Sequence, residues 1–157
     1  MLRRFNAMVA KVVEFGLWLG FTALILTVGL QVLARTILKI PLIWTPDLAQ
    51  LLFSWLIFVG AAIALRRNAH YNVDMLPPSW TRLDAPLALV GFLVAAGVIY
   101  LLTVNGTVLA QLRMSGTIQS LGISRGWIFA SIPVSGVLMA LFSIEALVEM
   151  LKGMAGK

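Results

Sequence analysis

Few side chains in this sequence could support catalysis, and their spacing does not assemble a catalytic centre. The single histidine, His70, is followed four residues later by Asp74. Such a pair needs a nucleophile or further ligands before it can catalyse a reaction or hold a metal. The chain contains no cysteine, which excludes thiol redox chemistry and thiolate metal sites. The sequence therefore predicts no enzyme activity, no cofactor and no metal site.

The charged residues all lie outside four long apolar runs. The runs contain 20, 18, 28 and 19 residues and none of the 18 Lys, Arg, Asp and Glu residues; they are Phe15–Ala34, Leu48–Leu65, Ala85–Leu112 and Gly126–Ile144. A helix rises about 1.5 Å per residue, so about 20 residues cross a bilayer core about 30 Å thick. The sequence predicts an all-α integral membrane protein, one membrane domain over residues 1–157 with four transmembrane helices.

Basic residues between the runs predict the orientation in the membrane. Eight Lys and Arg residues lie in the N-terminal segment, the second loop and the tail, whereas four lie in the first and third loops. The positive-inside rule places the more basic side in the cytoplasm. We therefore expect both termini and the Arg66–Asp84 loop to be cytoplasmic. The net charge of +6 is attributed to this orientation and not to nucleic-acid binding.

The N-terminal segment and the third run both allow alternatives. Residues 2–13 carry apolar side chains at helical spacing with Arg3, Arg4 and Lys11 between them. They form either an interfacial helix on the inner leaflet or a basic extension of span one. The third run would be about 42 Å long as a helix, which exceeds the hydrocarbon core. It must tilt strongly or project into one interface.

Local signals mark the start of span two and a break in span four. Thr45 is predicted to cap the second helix, with Pro46 at its first position and Asp47 near the positive end of the helix dipole.

In span four, Pro133 predicts a kink that leaves the Phe129 carbonyl without its helical partner. A nearby hydroxyl, from Ser131 or Ser135, is expected to satisfy the freed group.

Small and aromatic residues predict helix contacts and interfacial anchors. Three small-xxx-small pairs allow close approach between helices: Gly16/Gly20, Gly60/Ala64 and Gly136/Ala140. Three tryptophans at span ends fit an aromatic belt: Trp44, Trp80 and Trp127. The deeper Trp18 and Trp55 are expected to face lipid or another subunit. For Arg66 and Arg67, at the end of span two, lipid-headgroup anchoring is favoured over a salt bridge to a partner.

The spans contain no Lys, Arg, Asp, Glu or His, which disfavours a self-sufficient ion or organic-anion carrier. Their neutral polar side chains more often join helices than bind substrate. A small homodimeric exporter would need a membrane-embedded carboxylate, and Glu14 lies only at the edge of span one. This exporter remains an alternative; a membrane enzyme ranks behind it, because the spans contain no nucleophile–base pair or metal-ligand set.

The segment around span two carries a family resemblance. From Gln31 to Asp74 the chain reads QVLARTILKIPLIWTPDLAQLLFSWLIFVGAAIALRRNAHYNVD. It resembles the small membrane subunit (Q-type) of TRAP transporters, the tripartite ATP-independent periplasmic carriers of bacteria. The matching features are an Arg closing span one, Pro before Trp-Thr, acidic-Leu-Ala, a Trp-containing apolar stretch, Gly-Ala-Ala, a basic pair and His-x-x-Val-Asp. Leu121–Gly136 also resembles the start of that family's span four.

Two positions depart from the family pattern: Pro46 stands where an acidic residue is usual, and Gln50 where an Arg is usual. The motif residues implied as subunit-contact candidates are Arg35, Trp44, Thr45, Asp47, Gln50, Trp55, Arg66, Arg67, His70 and Asp74. If an Arg–acid pair links subunits in the family, this chain must use Asp47 alone or another contact.

The resemblance implies partners and a role. A periplasmic binding protein would capture an organic acid, such as a C4-dicarboxylate or a sugar acid. A large multi-span subunit would carry it inward on a sodium gradient, while the small subunit anchors the static scaffold in the bacterial inner membrane. The substrate site is then expected in the partner, and the outer loops are candidates for touching the binding protein. The small four-span subunit of tripartite tricarboxylate transporters is the nearest alternative.

Overall fold

The computed structural model describes residues 2–68 and 84–155. His70, Asp74 and Trp80 lie outside the described residues. The elements, in chain order, are α1 (Leu2–Leu33), a π-helical turn π1 (Ala34–Leu38), α2 (Trp44–Asn68), α3 (Asp84–Tyr100), a second π-helical turn π2 (Leu101–Asn105), α4 (Gly106–Arg113), β1 (Thr117–Ile118), β2 (Ile123–Ser124), α5 (Gly126–Phe129) and α6 (Ser131–Ala155).

Four helical segments in the described part of the chain are long and apolar enough to cross a membrane. They are Arg4–Leu38, Trp44–Arg67, Leu93–Arg113 and Gly126–Val148. The prediction of an all-α membrane protein with four transmembrane helices is confirmed. The helices run past the predicted spans: α2 begins at Trp44 and α6 ends at Ala155. A charged residue ends an apolar run without ending the helix, so the ends of the helices lie beyond the ends of the apolar runs.

The N-terminal segment is part of the first helix. α1 is one unbroken helix from Leu2 to Leu33, so residues 2–13 form the extension of span one, the second of the two alternatives. At about 1.5 Å per residue, α1 alone is about 48 Å long. A straight helix of that length must tilt or project beyond the hydrocarbon core.

The third span is a long helical stretch interrupted by π2, which the sequence did not predict. The interruption lies where the span meets α6 most closely. A Cβ atom added at Gly136 would lie 2.6 Å from Thr103 Oγ1 and 2.9 Å from the Thr103 backbone nitrogen. One added at Gly106 would lie 2.7 Å from Ile132 Cγ2. Glycine at these two positions therefore permits near-backbone contact between π2–α4 and α6.

The fourth span is interrupted one turn before Pro133. α5 ends at Phe129 and α6 begins at Ser131, so Pro133 lies in the first turn of a new helix, where its missing N–H removes no intrahelical bond. The two serines donate to carbonyls within this region as expected, but to different ones. Ser131 donates to Ile128 at 2.8 Å and Ser135 to Ile132 at 2.7 Å. The prediction that they satisfy the Phe129 carbonyl is wrong.

The buried core lies where α1, α2 and α6 meet. Its buried apolar members are Ala10, Ala62, Ile63, Met139 and Phe142. Not every predicted small-residue contact forms within the chain. A Cβ at Gly16 or Gly60 would meet nothing within 4 Å, and one at Gly20 would meet Leu56 at an ordinary 3.4 Å. Within the chain, the close approach therefore forms at Gly136, while close approach to another subunit at Gly16 and Gly60 stays a prediction.

Candidate subunit-contact site

Polar side chains from three helices meet at the end of the bundle that holds the start of α1. Arg66 Nε lies 3.4 Å from Glu145 Oε2, joining α2 to α6. Asn6 on α1 is 2% exposed, and its Nδ2 donates to Glu145 Oε2 at 3.1 Å and to the Leu141 carbonyl at 3.3 Å. The Arg66 guanidinium also lies 5.4 Å from the centroid of the Phe142 ring. The Glu145 carboxylate thus ties together all three core helices.

A second ion pair lies on the surface beside this one. Arg67 Nη2 lies 2.9 Å from Glu14 Oε1 and joins α2 to α1, with the Arg67 side chain 71% exposed. We call Asn6, Glu14, Arg66, Arg67 and Glu145 the charged cluster. The favoured headgroup interpretation of the two arginines gave them no protein partner, whereas the structure gives each a carboxylate within the chain. The Glu14 carboxylate is engaged in a pair, which does not fit the free embedded carboxylate of an exporter.

The sequence did not single out Asn6 or Glu145 as members of this site. Glu145 is 139 residues from Asn6 and 79 from Arg66 along the chain. Residue spacing reports only neighbours on one helix, so nothing local connects them. One signal in the sequence could have indicated this ion pair. A carboxylate directly follows the fourth apolar run, two arginines directly follow the second, and the ends of both spans are predicted to lie on the same side of the membrane.

The motif residues at the start of span two lie at the opposite end of the bundle from the charged cluster. The Ser120 hydroxyl donates to the Asp47 carboxylate. Thr45 is fully buried, and its hydroxyl donates to the Leu42 carbonyl at 2.9 Å. Because α2 already begins at Trp44, the prediction that Thr45 caps the helix is wrong. Arg35 lies in π1 and is exposed, away from the charged cluster.

Asp47 lies in a cleft that we call the loop cleft, with a volume of about 720 Å³. The cleft is formed by the start of α2, the end of α4, the β1–β2 hairpin and α5. Its lining residues are Ile43, Asp47, Gln50, Arg113, Thr117, Ile118, Gln119, Ser120, Arg125, Ile128 and Phe129. Both family departures are at this end of α2, and the exposed Gln50 side chain lines the cleft directly.

Among the described tryptophans, Trp55 forms a hydrogen bond within the chain through its indole nitrogen, whereas the others have exposed side chains. Trp55 on α2 is half-buried, and its indole Nε1 donates to the Trp127 carbonyl at 3.1 Å. That carbonyl lies in α5, where a short helix leaves end carbonyls without intrahelical partners. Trp55 therefore has a contact within the chain that the sequence did not predict. Trp18 is 73% exposed, while Trp44 and Trp127 are 38% and 54% exposed at span ends.

Neutral polar side chains inside the helices bond to their own backbone. Thr22 donates to the Trp18 carbonyl, Thr27 to Ala23 and Thr103 to Ile99, each four residues back. Such bonds leave these hydroxyls less available to a substrate. Among the described residues there is also no group of three His, Cys, Asp or Glu side chains placed to hold a metal. The arrangement is suited to holding helices together.

Four apolar helices with ion pairs at one end and a polar cleft at the other define a multi-pass helical membrane protein. A family model described as "Tripartite ATP-independent periplasmic transporters, DctQ component" matches residues 24–153. The chain belongs to this family and is a small TRAP transporter permease subunit of the inner membrane. The predicted family and the prediction of a non-enzyme are both confirmed.

Two curated relatives extend the comparison. The chain is 35% identical over 139 residues to the sialic acid TRAP transporter small permease protein SiaQ of Vibrio cholerae, covering 85% of this chain and 78% of that protein. It is 32% identical over 133 residues to the sialic acid TRAP transporter permease protein SiaT of Haemophilus influenzae. That second match covers 82% of this chain but 22% of the longer permease.

Proposed function

We propose that this chain is the scaffold subunit of a sodium-coupled tripartite transporter that imports a sugar acid of the sialic acid type. The observation that carries the proposal is the similarity to a sialic acid small permease protein over 85% of the chain. Its partners are a large multi-span permease subunit, which carries the substrate, and a periplasmic binding protein, which delivers it. A C4-dicarboxylate is the second substrate class within the same role.

The arrangement of polar groups supports a scaffold role. The carboxylates of Glu14 and Glu145 are held in ion pairs, and the hydroxyls of Thr22, Thr27 and Thr103 bond to their own helices. An embedded site for an organic anion instead usually keeps a charged side chain near the midplane. The scaffold holds its large partner in the membrane while the substrate-carrying part moves.

An uptake experiment tests this role. The full chain, the large subunit and the binding protein are reconstituted in liposomes, and labelled sialic acid is supplied outside with an inward sodium gradient. We expect uptake that stops when this chain, the binding protein or the sodium gradient is omitted. Uptake of succinate instead of sialic acid would show that the substrate is a C4-dicarboxylate and not a sugar acid. Equal uptake without this chain would contradict the scaffold role.

The proposed orientation places both termini in the cytoplasm, with the connection from π1 to α2 and the β1–β2 hairpin on the periplasmic side. The absence of native cysteine makes single-cysteine labelling direct. A membrane-impermeant maleimide added to intact cells stripped of their outer membrane should label Ser115→Cys. It should label Ala155→Cys only after the membrane is opened. The reverse pattern would invert the topology while leaving the family membership unchanged.

A further inference from the structure

The loop cleft lies at the ends of the apolar helical segments. Three of the helical segments apolar enough to cross a bilayer begin or end beside it: one begins at Trp44, one ends at Arg113 and one begins at Gly126. Exposed Trp44 and Trp127 are adjacent in sequence to the cleft residues Ile43 and Ile128. Tryptophan side chains favour the headgroup level of a bilayer. A ligand in the cleft would therefore meet the headgroup region.

Two arginines are brought to this cleft by the hairpin between α4 and α5. Arg113 ends α4, and its guanidinium lies 5.8 Å from the centroid of the Phe129 ring. Arg125 follows the hairpin, and its backbone nitrogen donates to the Gly116 carbonyl at 2.7 Å. The Ser124 hydroxyl donates to the Met114 carbonyl at 2.7 Å, which fixes β2 against the end of α4. Both arginines thus project from anchored backbone.

The charge balance of the cleft is positive. Its lining includes Arg113, Arg125 and one carboxylate, Asp47, which accepts a hydrogen bond from Ser120. The ion pairs between described residues are Arg66–Glu145 and Arg67–Glu14. Within the described part of the chain, the cleft arginines therefore have no carboxylate partner. An anion is the ligand that this charge arrangement favours.

The cleft also has an apolar wall, formed by Ile43, Ile128 and Phe129, and the Ile43 side chain is 77% exposed. An anion with attached hydrocarbon matches both kinds of lining. We propose that the loop cleft binds the headgroup of an anionic phospholipid, with its phosphate at Arg113 and Arg125 and its acyl chains along the apolar wall. An acidic protein segment would satisfy the charges but would leave this wall uncovered.

Lipid titration of the purified full-length chain, followed by native mass spectrometry, tests the proposal. The probes are phosphatidylglycerol and phosphatidylcholine with identical acyl chains. We expect tighter binding of phosphatidylglycerol, lowered about fivefold by Arg113→Gln or Arg125→Gln and about thirtyfold by both changes together. Binding of phosphatidylcholine should not change. Arg113→Lys should keep most of the binding, because it retains the positive charge.

Lys39→Gln is the matched control, because Lys39 directly follows π1 on the connection into α2 and is not part of the cleft lining. It should leave phosphatidylglycerol binding within about twofold, because Lys39 is outside the cleft lining and its attraction to the lipid is weakened by distance and salt. Equal loss in the control and the cleft variants would overturn the proposal. So would equal binding of both lipids by the native chain. Displacement of the lipid by equimolar glycerol phosphate would assign the site to a free phosphate anion, and displacement by a hexaglutamate peptide to an acidic protein segment.

Discussion

Arg66 and Glu145 lie 79 residues apart in sequence, yet the Arg66 Nε and Glu145 Oε2 atoms are 3.4 Å apart and join α2 to α6. Glu145 is the better buried partner, with 11% of its side chain exposed against 26% for Arg66. Asn6 on α1 donates a hydrogen bond to the same carboxylate, which connects α1 to the other two helices. This pair and the Arg67–Glu14 pair have similar chemistry but different burial, which makes them a matched test of what holds the helices together.

Replacing Arg66 should destabilise the fold more than replacing Arg67. Arg66→Gln leaves the Glu145 carboxylate without its cation in a largely buried position, so we expect a loss of about 2 kcal/mol. Arg67→Gln removes a pair whose arginine is 71% exposed, so we expect less than about 1 kcal/mol. Denaturant unfolding of the purified chain in detergent, followed by circular dichroism, compares the two. Equal losses would contradict the central position of Glu145.

Glycine positions provide a second matched pair. Gly136→Ala places a Cβ atom 2.9 Å from the Thr103 backbone nitrogen, which cannot move without shifting π2. We expect a loss of about 1–3 kcal/mol from overpacking. Gly60→Ala meets nothing within 4 Å and should leave stability unchanged or raise it by up to about 1 kcal/mol, because alanine favours a helix interior over glycine. The temperature at which half of each variant aggregates, measured by size-exclusion chromatography, ranks the stabilities of the two variants. A larger loss of stability for Gly60→Ala than for Gly136→Ala would contradict the packing described above.

Trp55→Phe should weaken the contact between α2 and α5. The variant keeps an aromatic ring but loses the indole donor to the Trp127 carbonyl. A net loss of about 1 kcal/mol is expected for one such hydrogen bond. Trp18→Phe is the control, because Trp18 is 73% exposed. Unfolding in denaturant should separate the two variants, and indistinguishable curves would argue against the hydrogen bond.

A charge in the middle of span two should prevent insertion or assembly. Ile57 lies in the Trp44–Arg67 segment and is 49% exposed. Arginine at a mid-span position costs about 2.5–3.5 kcal/mol on the translocon scale. We expect Ile57→Arg to be lost from the membrane fraction and Ile57→Leu to remain at the native level, as measured by immunoblot. Normal membrane levels and full uptake with Ile57→Arg would refute the placement of this span.

The helical architecture could be predicted because each span is encoded by its own residues. Twenty apolar residues without charge specify a membrane helix locally, and the Gln31–Asp74 motif indicated the family. The ends of the helices were harder to predict from the sequence. Asp47 and Arg66 flank the second apolar run, but both lie inside α2. Pro133 correctly marked an interruption, although the new helix begins before it, at Ser131.

Features that depend on contacts between helices were not predictable. The π2 turn contains no proline or glycine, and what distinguishes it is its contact with Gly136, 33 residues after Thr103. The loop cleft likewise needs the β1–β2 hairpin, which brings Arg113 and Arg125 together with the start of α2. His70 and Asp74 lie outside the described residues, and the assignment of all ten motif residues as subunit-contact candidates stays a prediction.

Co-purification tests the scaffold role most directly. The chain is tagged at its C-terminus and extracted from its native membranes in a mild detergent, and the eluted proteins are identified and quantified by mass spectrometry. We predict one much larger multi-span permease in stoichiometric amount, and its retention when Glu14 is replaced by Gln. Elution as a homodimer without a partner would contradict the scaffold role and return attention to Glu14 as a transport carboxylate.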